Sequence, residues 1–186
     1  SFLKTLYALG YSHGIRIEKE DGCLFSPELV SSAVAAYMKR YAMQDVAIMG
    51  QQSSDGSNMK TPYLLAEKMG WPCVRDVVKM EPVDESSLKV TGSTGNGLLV
   101  QVVKTPCVLV VGNAQDSYLR VPTLKDKMRL GKQPVELVSL EELGLGEPAL
   151  EELESRVLPV SLEAVSARRD TVWIDGDSPR EKAQKL

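Results

Sequence analysis

The spacing of apolar and polar residues changes rhythm twice along the chain. Phe2, Leu3, Leu6 and Leu9 recur at helical spacing and stop at Gly10, which predicts a first helix. Ile15 and Ile17 alternate with Arg16 and Glu18, the pattern of a short strand. Ser26-Pro27-Glu28 combines an N-cap residue, a proline at the first helical position and an acid in the first turn. The helix it opens runs through Val30, Val34, Tyr37 and Met38 to Lys39-Arg40, which complement the negative end of its dipole. Val46–Met49 reads as a buried strand. Thr61-Pro62 is expected to cap a helix through Leu64, Leu65, Lys68 and Met69 that stops at Gly70. Pro72 prevents its continuation.

After Pro72 the alternation of helix and strand gives way to β structure. Cys73–Met80, Leu88–Thr91, Leu98–Val103 and Cys107–Val111 all read as strands, with Gly95-Asn96-Gly97 as a turn between the second and third. A polar loop follows from Gly112-Asn113 to Arg120. Next come a basic helix with Lys125, Lys127, Met128, Arg129 and Lys132, and one more apolar run, Val135–Val138. From Ser139 the character shifts again. Leu140-Glu141-Glu142-Leu143 and Leu150-Glu151-Glu152-Leu153 are acidic, leucine-spaced segments separated by glycines and a proline. Such a stretch is too weakly patterned to build its own core. Val172-Trp173-Ile174 argues for an arm lying on a partner, since large apolar side chains are unfavourable in water. The expected organisation is a nucleotide-binding α/β domain over residues 1–138 and an arm over 139–186.

Composition narrows the function. An apolar fraction of 43% over 186 residues suffices for one real core. A net charge of −3 gives no long-range pull toward nucleic acid or an anionic membrane. No apolar run approaches the ~18 residues of a membrane span, so no membrane insertion is expected. The opening already has helical spacing rather than a signal-peptide pattern, and both ends read as cuts through a longer protein. Three cysteines, Cys23, Cys73 and Cys107, lie far apart with no C-x-x-C, which suggests reduced thiols in a cytoplasmic protein. His13, the one histidine, supports neither a metal cluster nor a triad and reads as a surface loop residue. Neither G-x-S-x-G nor H-E-x-x-H occurs, so nothing points to a hydrolase or a metalloenzyme.

The chemistry that remains is in Gly50-Gln51-Gln52-Ser53-Ser54-Asp55-Gly56-Ser57-Asn58, between a strand end and a helix start. Ligands in open α/β sheets sit at the carboxyl ends of strands. A Gly/Ser loop there exposes backbone N–H groups, and the next helix adds its positive end. This predicts a nucleotide-phosphate site, against the alternative of a solvated connection. Neither G-x-G-x-x-G nor a Walker pattern is present.

Several segments in order carry a resemblance. Leu6-Tyr7-Ala8-Leu9-Gly10, Gly50-Gln51-Gln52-Ser53-Ser54-Asp55-Gly56, Leu65-Ala66-Glu67-Lys68-Met69-Gly70-Trp71-Pro72, Leu119-Arg120-Val121-Pro122-Thr123-Leu124 and Asp175-Gly176-Asp177-Ser178-Pro179 together resemble the β subunit of electron transfer flavoproteins. The resemblance implies a Rossmann-like, doubly wound, mostly parallel sheet of the adenine nucleotide alpha hydrolase kind, with a β-hairpin region and an extended C-terminal arm around an α subunit. It implies an electron carrier rather than an enzyme, passing electrons from flavin-dependent dehydrogenases of the acyl-CoA type. FAD would be shared with the α subunit, and AMP, or a second FAD in bifurcating members, would sit in β. Gly50, Ser53, Ser54, Asp55, Gly56, Met59, Lys60 and Thr61 fall at its nucleotide loop. Backbone N–H groups at Gly56 and Met59, the Lys60 charge and the Thr61 hydroxyl are the donors. Arg120, Leu124 and Met128 fall on its partner-docking segment, where an apolar anchor is ringed by charge. The other reading of Leu124 is an ordinary core residue at a helix start.

Three departures from that family stand out. Its first strand, following helix and much of its second βα unit are expected before Ser1, and with them the adenine and ribose contacts. Gly92-Ser93 replaces a frequent Arg-Glu beside the flavin, and Met59 replaces a frequent Asn. A rival of the same fold is an adenine-nucleotide-binding module without redox function, which leaves the basic segment and the Trp-bearing tail unexplained.

Overall fold

In the computed structural model, residues 2–18, 26–41, 43–53, 57–112, 118–147, 161, 163 and 171–185 are described. Helix α1 (Phe2–Ala8), strand β1 (Ile15–Glu18), helix α2 (Pro27–Arg40), strand β2 (Val46–Gly50) and helix α3 (Thr61–Met69) come first. Strands β3 (Cys73–Asp84), β4 (Ser87–Thr94), β5 (Gly97–Lys104) and β6 (Cys107–Val111) follow. Helix α4 (Leu124–Arg129), strand β7 (Glu136–Ser139) and helix α5 (Pro179–Gln184) come last among the described residues.

The local signals act as their chemistry requires. Ser26 caps α2, its Oγ accepting from Leu29 N at 3.1 Å. At the other end, Lys39 Nζ donates to the Lys68 carbonyl at 2.9 Å, and Arg40 donates to the Glu142 carbonyl. Helix α3 ends where Gly70 turns left-handed at φ 67°. Gly70 N donates to Glu67 O at 3.1 Å and Trp71 N to Ala66 O at 2.9 Å. That pair of bonds satisfies carbonyls the helix would otherwise leave orphaned, at a φ that favours glycine. The start of α3 differs from expectation. Thr61 and Pro62 are its first two helical residues; the capping position is Lys60 and no side chain caps it. Instead Asn58 Oδ1 accepts from Lys60 N at 3.1 Å, a local Asx turn that takes up the incoming donor.

Five strands form one sheet in the order β2-β6-β3-β4-β5. β6 is parallel to β2 and β3, whereas β3-β4 and β4-β5 are antiparallel. β1 and β7 pair in parallel as a separate two-stranded sheet. The architecture is therefore mixed α/β, with three of its five strand pairings parallel.

Register fixes two faces on the parallel strands, because side chains alternate with a period of two. Ala47 and Met49 of β2 share a cluster with Ala35, Met38 and Leu65 of α2 and α3. The opposite face joins Val74, Val77, Val90, Val103, Cys107 and Leu109. A third cluster packs Leu29 and Ala33 of α2 against Val138, Leu140 and Leu143. Leu140 and Leu143 thus lie in the chain's own core, beyond the boundary expected at residue 138. Cys73 and Cys107 carry free thiols, and burial pushes both above the usual thiol range. Cys23 lies outside the described residues. His13 is exposed, as expected of a loop residue.

Candidate functional site

The carboxyl ends of β2 and β6 and the amino end of α3 meet at one place. Gln51 N donates to Val111 O at 3.2 Å, which carries the β2–β6 pairing one residue past Gly50. The chain then leaves the sheet and returns to start α3 at Thr61. The return is contorted: Ser57 and Met59 hold φ values of 43° and 55°, left-handed conformations that β-carbons disfavour. Ser57 Oγ donates to Ser53 O at 3.1 Å, and the Asx turn at Asn58 fixes Lys60. Such strain persists where surrounding contacts over-determine the loop, and it gathers at ligand sites.

The outcome is a hollow of about 240 Å³ lined by Gly50, Gln51, Ser53, Asn58, Met59, Lys60 and Thr61. Of the residues expected from the sequence, Gly50, Ser53, Met59, Lys60 and Thr61 are therefore brought together. Ser54, Asp55 and Gly56 lie outside the described residues. Lys60 and Met59 are exposed. The Lys60 ammonium, the Thr61 hydroxyl and the first amides of a nine-residue helix suit a phosphate, which needs donors and positive potential. Gln51 and Asn58 join this hollow beside them. Their sequence signal was only membership of the same polar loop.

The expected docking segment forms a second region. Thr123 and Asp126 build a reciprocal capping box at the start of α4. Asp126 Oδ2 accepts from Thr123 Oγ1 at 2.8 Å, Thr123 N at 3.1 Å and Arg120 Nη1 at 3.0 Å. The hydrogen bond from Thr123, then that from Arg120, hold the Asp126 carboxyl down at about 2. Arg120 also donates to the Ala8 carbonyl at 3.4 Å, so it ties the segment to α1. Leu124 is 74% exposed and Met128 61%. The core alternative for Leu124 does not hold: it stands at the first position of a helix with no buried residue. Trp173 is 85% exposed. No helix among the described residues is long and apolar enough to cross a membrane.

One feature carried no sequence signal. Between β3 and β4 lies a further hollow of about 420 Å³, lined among others by Arg75, Asp76, Gly92 and Leu99. Its geometry depends on a strand irregularity that sequence alone does not reveal.

Comparison with known proteins shows the family. The family model for the electron transfer flavoprotein domain matches residues 2–143. The YgcR electron transfer flavoprotein subunit of Escherichia coli (strain K12) is 33% identical over 187 residues, covering 100% of this chain and 67% of that protein. The electron transfer flavoprotein subunit beta of Bacillus subtilis (strain 168) is 30% identical, covering 87% of this chain and 63% of its own length. That of Mycobacterium tuberculosis (strain ATCC 25618 / H37Rv) is 25% identical over 99% of this chain and 69% of its own. The chain thus spans about two thirds of the length of these relatives. The family model matches residues 2–143 and the Escherichia coli protein is 33% identical along the whole chain, so the chain belongs to the electron transfer flavoprotein domain family.

Proposed function

We propose that this chain is the β subunit of a two-subunit electron transfer flavoprotein. It carries electrons rather than catalysing a reaction of its own. FAD, held with an α subunit, would supply the redox chemistry, and an adenine nucleotide would occupy the loop at the end of β2. The fold would be the doubly wound, adenine nucleotide alpha hydrolase type, and the protein cytoplasmic.

The observation that carries this reading is the loop itself. Five residues expected for a nucleotide-phosphate contact line one hollow against the amino end of α3. Lys60 supplies a point charge and Thr61 a hydroxyl, beside a Met59 held at a left-handed φ of 55°. AMP is the expected nucleotide, with a second FAD as the alternative in a bifurcating protein.

Two exposed apolar regions support the partner assignments. Leu124 and Met128 on α4, flanked by Lys125, Lys127 and Arg129, fit docking to a flavin-dependent dehydrogenase. An apolar anchor gives affinity, and surrounding charge speeds a short-lived encounter. Val172 and Trp173 fit an arm laid on the α subunit, with its start beyond Leu143.

The test is to express the full-length chain with an affinity tag, isolate what accompanies it, and quantify flavin and nucleotide released by heat. An α-type subunit in equal amount, with one FAD and one AMP, is the expected result. Two FAD per pair would identify a bifurcating member. A solitary protein with adenine nucleotide and no flavin would overturn the electron-transfer reading and leave a nucleotide-binding module.

A further inference from the structure

Helix α4 has six residues and buries none of them. A helix that short is not stable by itself in water, and no apolar face of its own holds it down. Leu124 can act as an anchor only if something else fixes where it stands. Polar ties do so. Arg120 divides its guanidinium between two acceptors: Nη1 donates to Asp126 Oδ2 at 3.0 Å and Nη2 to the Ala8 carbonyl at 3.4 Å. Asp126 in turn closes the capping box, its N donating to Thr123 Oγ1 at 3.2 Å.

The far side of this tie is firmly held. Ala8 is fully buried and Tyr7 is 3% exposed. Tyr7 Oη accepts from Gly14 N at 2.8 Å and donates to the Pro134 carbonyl at 2.7 Å. Helix α1 is thereby fastened to the entry of β1 and to the segment before β7. The end of α4 also comes close to α1, since a β-carbon on Gly131 would stand 3.5 Å from the Lys4 carbonyl oxygen. Helix α1 is the platform under α4, and Arg120 joins that platform to the capping box.

The sequence places Arg120 among the charges around the anchor, but its bonds give it another task. Its charge is paired with Asp126 in the same segment, which largely cancels its field at a distance. Lys125, Lys127 and Arg129 are exposed on the same helix. We infer that Arg120 is a positioning residue for partner docking: it locks α4 onto α1 so that Leu124 meets the partner in one orientation. The charges that steer the encounter are Lys125, Lys127 and Arg129. Fixing an anchor before contact lowers the ordering cost of binding. This rests on the docking reading proposed above.

The experiment uses the full-length chain assembled with its α-type subunit. Reduction of its flavin by an acyl-CoA dehydrogenase supplied with acyl-CoA is followed at several salt concentrations, and KM for the carrier and kcat are read separately. Arg120→Ala should raise KM about tenfold, the usual effect of losing a charge-assisted hydrogen bond, and leave kcat and AMP affinity unchanged. Its salt dependence should match wild type, whereas Lys127→Ala should flatten it. Arg120→Lys should recover little, because an ammonium keeps the charge but lacks the planar fork that reaches two acceptors. Asp126→Asn weakens the same tie from its other side and should also raise KM. Combined with Arg120→Ala it should add nothing, as expected of two residues in one contact. Full recovery by Arg120→Lys, or a flattened salt dependence in Arg120→Ala, would make Arg120 a docking charge and overturn the inference. So would a wild-type KM in Arg120→Ala and Asp126→Asn where Leu124→Ala raises it. If Leu124→Ala leaves KM unchanged, or wild type is not reduced by the dehydrogenase, the docking reading itself falls.

Discussion

β6 and β5 are near-equivalent apolar runs with opposite fates. Cys107, Val108, Leu109 and Val110 of β6 are fully buried. In β5, Leu98, Leu99, Val100 and Val102 are exposed, Val102 at 63%, and only Val103 reaches the core. Composition does not separate the two. Neighbours do: β6 has β2 and β3 on its two edges and α3 packed on it. β5 pairs with β4 alone, at the end of the sheet. The parallel half, with its helices, is where the loop and the strand ends converge, whereas the antiparallel half extends the sheet and leaves apolar surface uncovered. Strand propensity is thus local, but burial is decided by position in the sheet.

Substitutions can test that contrast. The largest effect is expected at the centre: Leu109→Ala should lower unfolding stability by about 2–5 kcal/mol in urea titration, through lost burial and a cavity. A loss below 1 kcal/mol would mean that β6 is not the centre of the packed half. Gly70→Ala should lower stability by about 1 kcal/mol, since alanine must adopt the left-handed φ that ends α3. An unchanged melting temperature would show that the helix end relaxes without strain.

The exposed segment should respond more locally. Thr123→Ala removes one half of the capping box on α4 and should cost about 1 kcal/mol, read by thermal unfolding. The same box gives a pH dependence. Asp126 in the folded chain titrates at about 2, below its ordinary 3.8. The unfolded chain therefore binds this proton first, and the contribution of Asp126 is complete above about pH 4. It is lost as the pH falls from about 4 to about 2. Wild type should lose more stability than Asp126→Asn across that interval. Parallel curves would remove Asp126 as the cause. The smallest effect belongs to β5: Val102→Thr should change stability by less than about 0.5 kcal/mol. A loss as large as that of Leu109→Ala would erase the distinction between the two strands.

Much of this was legible because its signals are local. The limits of β6, the Ser26 cap of α2, the Gly70 stop of α3 and the turn at Gly95-Asn96 each follow from a few adjacent residues. The loop between β2 and α3 was legible for the same reason, as a Gly/Ser stretch between a strand and a helix. Other features depend on distant partners. β3 runs on through Pro82, past the expected end at Met80, because β4 folds back on it and pairs Pro82 with Leu88. The insertion of β6 between β2 and β3 has no local sign. The Arg75–Asp76 pair arises only where β3 slips against β6, and two adjacent charges in a strand otherwise read as opposite faces. Leu124 was ambiguous for a related reason, since exposure at a helix start is set by what packs there.

The most direct test of the central claim, that the working end lies at the carboxyl ends of the parallel strands, is an AMP titration of the nucleotide-free assembled protein. Wild type, Lys60→Ala and Lys89→Ala, the last on β4 in the antiparallel half, would be compared by calorimetry. Lys60→Ala should weaken AMP about tenfold, as loss of a charge-assisted phosphate contact does, and Lys89→Ala should leave it unchanged. Equal affinity for AMP in wild type and Lys60→Ala, or a loss confined to Lys89→Ala, would contradict the placement of the nucleotide at this loop.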